Sequence, residues 1–386
     1  MKRIFFYGII LMVLTGFIGC TSDKDVIIDP PILGATNSHS IYLFRHDNHD
    51  NSHYWSNEMT SHFGQEFGSG TELGKWDLVT WVQPGGTQYI VTHMRTTLGD
   101  NKEFCIRRLE SWGVVGNTTF SQTWVKSYNT FVGVNVGERS FIFGQDSDTY
   151  DKRWFTQEIL PDGTLAPDEA DHGTWNDYYE VATPLYVNGS TYIFFQTKSN
   201  DHYWFISHVS SDGRLTDVCD GHWGHLWAVS TSVTIAGNTY LIGGQNDHDN
   251  YEGTEWFIQK INSDGTMGEE VDRGGWTDYY YQFAAYANGD QAYLFACSSS
   301  GTGSCPWFIQ EISGEGKMGN ETVHGSFSSG LHHAFAVPLY NQPGSFRYTV
   351  GWDLSNTSGW PAGWSQRFDD PWNGVIKMGG GAALAK

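Results

Sequence analysis

The side chains best suited to chemistry in this 386-residue chain fall into three sets. The first is an aromatic–acidic motif, Trp175-Asn176-Asp177-Tyr178-Tyr179 and Trp276-Thr277-Asp278-Tyr279-Tyr280. Looser copies stand at Trp223-Gly224-His225-Leu226-Trp227 and Trp124-Val125-Lys126-Ser127-Tyr128. The second is a polar column, His46, His93, Gln145, Gln196 and Gln245, replaced further on by Cys297 and Trp352. The third is a set of loops over 46–53, 145–151 and 245–252, the last two carrying Asp-x-Asp spacings. Flat rings beside amides and carboxylates suit a neutral sugar, whose C–H faces stack on rings while its hydroxyls pair with directional groups. The expected ligand-binding residues are therefore Trp175, Asp177, Tyr178, Tyr179, Gln196, Trp223, Trp227, Gln245, Asp247, Trp276, Asp278, Tyr279 and Tyr280. Oxygen-rich loops also suit calcium, and Asp146, Asp148, Asp247 and Asp249 are the alternative metal set, although they lack the glycine and terminal acid of an EF-hand loop. No other cofactor is indicated.

The same residues have a structural reading. Aromatics dominate β cores, so the columnar tryptophans also fit as wedges between packed sheets, and the Gln/His column as partners for backbone groups. Asp and Asn are ordinary turn formers. For catalysis the pattern is poor. There is no Gly-x-Ser-x-Gly elbow, and although paired carboxylates can hydrolyse glycosides, nothing marks out one pair. The expectation is a non-catalytic protein.

What must position these side chains is a repeat. Tyr54, Phe104, Trp154, Trp204, Trp256, Trp307 and Trp364 open related segments at intervals of 50 to 57 residues. A second column, Trp76, Trp124, Trp175, Trp223, Trp276, Phe327 and Trp372, keeps step with it. Two columns in register signal a repeat architecture. In the best-formed unit, strands are expected over 179–187, 191–196 and 203–209, with a fourth running towards Cys219. Asn188-Gly189 between the first two is a hairpin signal, because both positions tolerate positive φ. Four-stranded antiparallel units repeated radially are the blades of a β-propeller. The expected fold is all-β: a seven-bladed propeller of four-stranded antiparallel blades over 40–378, closed by N- and C-terminal strands. The N-terminal unit lacks a first strand, and the segment after Trp372 is expected to supply it. Residues 379–386 are a C-terminal tail.

The net charge of −21 speaks against nucleic acid and anionic membrane surfaces. Residues 1–19 read as a signal peptide: Lys2 and Arg3, then an apolar run, then Gly19. Ending before Cys20, it resembles a bacterial lipoprotein signal, which implies lipidation of Cys20 and a tether over 20–39. That places the protein in the cell envelope, on the outer membrane or cell surface, touching the membrane only through the lipid. Cys297 and Cys305 flank a short loop and are expected to form a disulfide. Cys105 and Cys219 lie in separate repeats and are expected to be free.

The units resemble lectin propellers of the tachylectin/tectonin type, on Trp204-Phe205-Ile206 with Asp212-Gly213 and Trp223, and on the matching set at Trp256 and Trp276. That resemblance implies sugar binding between blades. The functional expectation is a carbohydrate-binding, lectin-like surface or periplasmic lipoprotein with glycans as partners. A cell-surface scaffold for a protein partner is the alternative, and a propeller glycoside hydrolase the third reading.

Overall fold

A computed structural model of the chain describes residues 40–47, 53–59, 63–71, 75–95, 102–110, 115–124, 126, 128–146, 152–197, 202–224, 227–246, 254–288, 291–298, 305–327, 333–339, 348–353 and 362–367. Its strands are β1 (Ser40–Asp47), β2 (His53–Met59) and β3 (Phe63–Thr71), then β4 (Lys75–Val82), β5 (Tyr89–Arg95), β6 (Lys102–Leu109) and β7 (Val115–Trp124). Next come β8 (Tyr128–Val136), β9 (Arg139–Asp146), β10 (Arg153–Ile159) and β11 (Leu165–Thr174). They are followed by β12 (Tyr179–Val187), β13 (Ser190–Thr197), β14 (Tyr203–Val209) and β15 (Leu215–His222). The set β16 (Val229–Ile235), β17 (Asn238–Asn246), β18 (Thr254–Ile261) and β19 (Met267–Trp276) has the same form, as does β20 (Gln282–Asn288), β21 (Gln291–Cys297), β22 (Cys305–Ile312) and β23 (Met318–Phe327). The last strands are β24 (His333–Leu339), β25 (Tyr348–Asp353) and β26 (Ala362–Arg367).

The fold is an all-β propeller of four-stranded antiparallel blades. Five blades are each built from four consecutive strands: β4 to β7, β8 to β11, β12 to β15, β16 to β19, and β20 to β23. A further four-stranded sheet is composite, with the order β24-β1-β2-β3. Here β24 lies antiparallel to β1, from Ser40 opposite Leu339 to His46 opposite His333. The first strands of successive blades pack side by side, and β24 packs against both β20 and β4. The ring is thus closed with β24 in the first-strand position of the composite sheet.

This corrects the expectation of seven blades. Closure across the termini occurs, but β24 supplies the strand a full repeat before the segment expected to do so. The residues after Trp372 lie outside the described residues. β25 and β26 pair with each other as a separate two-stranded sheet. A sheet closed on itself leaves fewer unpaired edges, and once β24 has paired with β1 the inner ring has no vacant position.

Each blade follows from local sequence. Second strands such as β9 (Arg139–Asp146) and β13 are apolar on both faces because sheets flank both sides, and almost every residue in them is buried. Outer strands such as β11 and β15 are polar and half exposed. Asn188 (φ 49°) and Gly189 (φ 80°) take the paired left-handed geometry expected of a two-residue hairpin. The later Asp-Gly turns do more than reverse the chain. Gly265 (φ +84°) sits on Tyr192 of the preceding blade, where a Cβ would come within 2.2 Å of the ring. Gly213 sits in the same way on Phe141. Each of these turns is therefore an inter-blade contact as well as a hairpin.

Hydroxyls join the inner strands. Ser232 Oγ donates to the Pro184 carbonyl at 2.6 Å, the Gly133 amide donates to Thr80 Oγ1 at 2.8 Å, and the Ala285 amide donates to Thr231 Oγ1 at 3.2 Å. Small hydroxylated residues suit this crowded axis because they fill little space and satisfy a neighbour's backbone.

Closure by β24 gives a direct test. A chain ending at residue 340 should keep a cooperative thermal transition by circular dichroism. One ending at residue 331 should lose that cooperativity and aggregate through the exposed edge of β1. Loss of cooperativity already in the longer truncation would place the closing strand beyond residue 340.

Candidate functional site

The two aromatic columns of the sequence meet as stacked or tilted pairs at the described blade junctions. Ring centroids are 4.2 Å apart for Phe104 and Trp124, 5.3 Å for Trp154 and Trp175, and 5.6 Å for Trp204 and Trp223. They are 5.7 Å apart for Trp256 and Trp276, and 5.5 Å for Trp307 and Phe327. A glycine on the fourth strand makes room for the third-strand indole. A Cβ on Gly221 would lie 2.6 Å from Trp204, and one on Gly274 2.4 Å from Trp256.

The thirteen residues expected to bind a ligand are divided among separate junctions. Trp175 is edge-on to Tyr179 at 4.9 Å and to Phe205 at 5.0 Å. Tyr179 is buried and meets Phe205 at 4.8 Å. Tyr178 is half-buried beneath Lys152, whose Nζ lies 5.2 Å from the ring. At the next junction Trp223 packs on Phe257 at 5.0 Å, and the buried Trp227 packs on it at 4.3 Å. Beyond that, Trp276 and the buried Tyr280 both pack on Phe308, at 4.9 and 4.8 Å. Tyr279 is half-buried and Asp278 exposed. Asp247 lies outside the described residues.

The polar column is structural where its bonds are seen. Gln145 is fully buried, its Nε2 donates to the Asp177 carbonyl at 2.9 Å, and its Oε1 accepts from the Tyr179 amide at 2.8 Å. One amide thus fixes the chain where it passes to the next blade, and Asp177 is held there by its backbone. Its carboxylate accepts from the Tyr178 amide at 2.8 Å. Gln196 is also fully buried, and neither of its amide atoms has a partner among the described residues. Gln245 is buried, with Oε1 likewise unpartnered.

Sugar stacking requires an open ring face; Tyr179, Trp227 and Tyr280 are buried against neighbouring aromatics, whereas Tyr178 and Tyr279 are half-buried. The calcium alternative is corrected at Asp146, whose buried carboxylate is already met by Lys126 Nζ at 2.5 Å. Asp148, Asp247 and Asp249 lie outside the described residues. Cys297 and Cys305 are both buried but not bonded to each other, with sulfurs 2.8 Å apart. Cys105 is buried and Cys219 half-buried, both as thiols.

The arrangement with most chemical content lies elsewhere. A groove of about 440 Å³ opens between the β4–β7 and β8–β11 blades. Phe120, Trp124 and Phe155 line it, together with Lys126, Tyr128 and Glu169. Asp146 stands opposite Tyr128 across the β8–β9 ladder. A carboxylate buried this deeply is costly unless paired, and Lys126, a little over one-third exposed at 37%, reaches it from the groove. Burial pushes the Tyr128 phenol well above its ordinary range. The nearby Asp146 charge adds to the shift, Arg153 opposes it, and Glu169 adds to it. The phenol therefore remains a proton donor at neutral pH. On the other wall Glu169 pairs with Arg153 and lies 3.4 Å from His172. At the equivalent positions of other junctions Lys126 is replaced by Asp177 or Asp278, and Asp146 by Thr197 or Ser298. The charged pair is thus a departure from the repeat. The signal was present in the sequence, in a lysine two residues after Trp124 where better-formed copies carry aspartate.

No family model matches the chain, and no curated protein matches it. Among solved structures, one similar fold is the periplasmic gluconolactonase PpgL of Pseudomonas aeruginosa, at 10% identity and a TM-score of 0.43 over 79% of this chain and 87% of that one. That neighbour is an enzyme by name, which runs counter to the expectation of a non-catalytic, lectin-like protein. A likeness this distant assigns no role to any residue.

If Gln145 is a staple, replacing it should cost stability. Gln145→Leu leaves the Tyr179 amide without its acceptor and should lower unfolding stability by about 1–3 kcal/mol, read from urea denaturation. A variant as stable as the parent would return Gln145 to the ligand-binding candidates.

Proposed function

We propose that the protein is a cell-envelope enzyme that carries out acid–base chemistry on a small carbonyl-bearing molecule in the groove between the β4–β7 and β8–β11 blades. The observation that carries this reading is the pairing of Lys126 with the buried Asp146 beside a protonated Tyr128, in an aromatic-walled groove. The Lys126 ammonium and Tyr128 phenol offer two donors to a substrate oxygen that gains negative charge. Such fixed donors are the largest single term in many enzymes. Asp146 is too deeply buried to touch substrate and acts as a positioning residue through Lys126. Glu169 is the carboxylate available on the facing wall to activate water. Phe120, Trp124 and Phe155 supply apolar walls that exclude bulk solvent and strengthen these interactions.

The test is a panel of p-nitrophenyl esters. Turnover should be measurable for at least one member and fall about 10²-fold in Tyr128→Phe, with the melting temperature nearly unchanged. Lys126 should be replaced together with Asp146, as Lys126→Met/Asp146→Leu, because removing the lysine alone strands a buried charge. The double variant should lose turnover to a similar degree. No turnover across the panel, or turnover indifferent to both variants, would sink the proposal.

The leader supports placement in the envelope, with Cys20 carrying a lipid anchor. Among the described residues no helix is long and apolar enough to cross a membrane. In a bacterial host, Cys20→Ser should abolish fatty-acid labelling and release the protein from the membrane fraction. Labelling that survives the substitution would remove the anchor.

A further inference from the structure

We infer that Cys297 and Cys305 form a disulfide that ties β21 to β22 within the last consecutive blade, beside the composite sheet that closes the ring. Cys297 ends β21 and Cys305 begins β22, on neighbouring strands of one blade. Both side chains are completely buried, and their sulfurs are 2.8 Å apart. Both thiols are also directed at the same acceptor, the Ser298 carbonyl oxygen. Two thiol sulfurs this close crowd one another, and forming a bond between them with loss of both hydrogens relieves that crowding.

Cys297 occupies the place in its blade that Gln145 holds in the β8–β11 blade. Gln145 staples the following backbone with its amide, which a thiol does poorly because it is a weak donor and weak acceptor. The passage that follows the β20–β23 blade, the counterpart of the Asp177–Tyr179 segment that Gln145 holds, lies outside the described residues. Within the blade, Cys297 sits beside Cys305. Both cysteines belong to a core that includes Tyr286, Phe295 and Trp307, and also Met59 of β2. The bridge therefore lies where the β20–β23 blade meets the sheet that closes the ring.

The reaction is thiol–disulfide exchange with a small disulfide. One cysteine thiolate attacks a sulfur of the oxidant and expels a thiolate. The second cysteine thiolate attacks the resulting mixed disulfide at the protein sulfur and expels the other. The protein loses two hydrogens, and the oxidant becomes two thiols. An exported protein would meet such oxidants in its compartment, so in the cell the bridge rests on the export reading.

The experiment does not. The chain from residue 21 onwards, in a Cys105→Ser/Cys219→Ser background, is refolded with oxidised glutathione, denatured without reductant and treated with iodoacetamide. The expected product is unalkylated, lighter than the reduced chain by two hydrogens, and gives a linked Cys297–Cys305 peptide after proteolysis. Reduction should lower the melting temperature by roughly 5 °C, and Cys297→Ala/Cys305→Ala should melt like the reduced chain. Alkylation of both cysteines without reductant would overturn the inference, and so would a melting temperature indifferent to reduction. Ester turnover by the oxidised and reduced forms reports on the groove separately, so failure of one reading leaves the other testable.

Discussion

The described blades depend on one repeated contact, the packed aromatic pair where a third strand meets the passage to the next blade. A third-strand ring lies against the ring that begins the passage to the next blade, as in Trp204 on Trp223. That second ring meets the following blade edge-on, as Trp223 meets Phe257. Such pairs contribute about 0.5–1.5 kcal/mol each beyond the area they bury. Repeated around the ring, they determine which way every blade faces. The fourth-strand glycine is a consequence, since any Cβ at Gly221 or Gly274 would collide with the indole it covers. Polar groups finish what the wedges start. Gln145 holds the connecting backbone, and hydroxyls such as Ser232 Oγ join adjacent inner strands.

These contacts act between neighbours, so ring size is set by how many first strands fit around the axis. The chain carries sequence copies beyond β23, yet β24 pairs with β1 and the ring is complete. Composition and period describe the blade well and the ring poorly. The strand over 179–187, the Asn188-Gly189 turn and the strand over 203–209 appear where patterning places them. The closing strand does not, because pairing across the termini is a non-local choice that no local periodicity encodes.

The surroundings of the expected ligand-binding rings are non-local in the same way. Tyr179, Trp227 and Tyr280 have the types and spacing of a sugar platform. Whether a ring presents its face to solvent or to Phe205, Phe257 or Phe308 is decided by the third strand of the blade it enters, some 25 to 30 residues away in sequence. The structural reading of the Gln column was legible in the same residues. A buried amide beside a chain reversal has two backbone groups to serve, as Gln145 serves the Asp177 carbonyl and the Tyr179 amide.

In a repeat protein, residues that obey the repeat are mostly accounted for by the repeat. Trp175, Trp223 and Trp276 recur because every junction needs a wedge, so their recurrence carries little information about a ligand. Information about chemistry lies in the exceptions. Lys126 stands where its counterparts are Asp177 and Asp278, and it is matched by Asp146 where they have Thr197 and Ser298. Cys297 stands where others have glutamine, and it is matched by Cys305. In both cases two positions depart together and the altered side chains meet. A lone departure is compatible with drift on a tolerant surface. A buried carboxylate without its ammonium would destabilise the blade, so the Lys126 and Asp146 changes are physically coupled. A coupled charge pair that also faces an open groove is therefore a stronger basis for a site than any ring the repeat supplies at every junction.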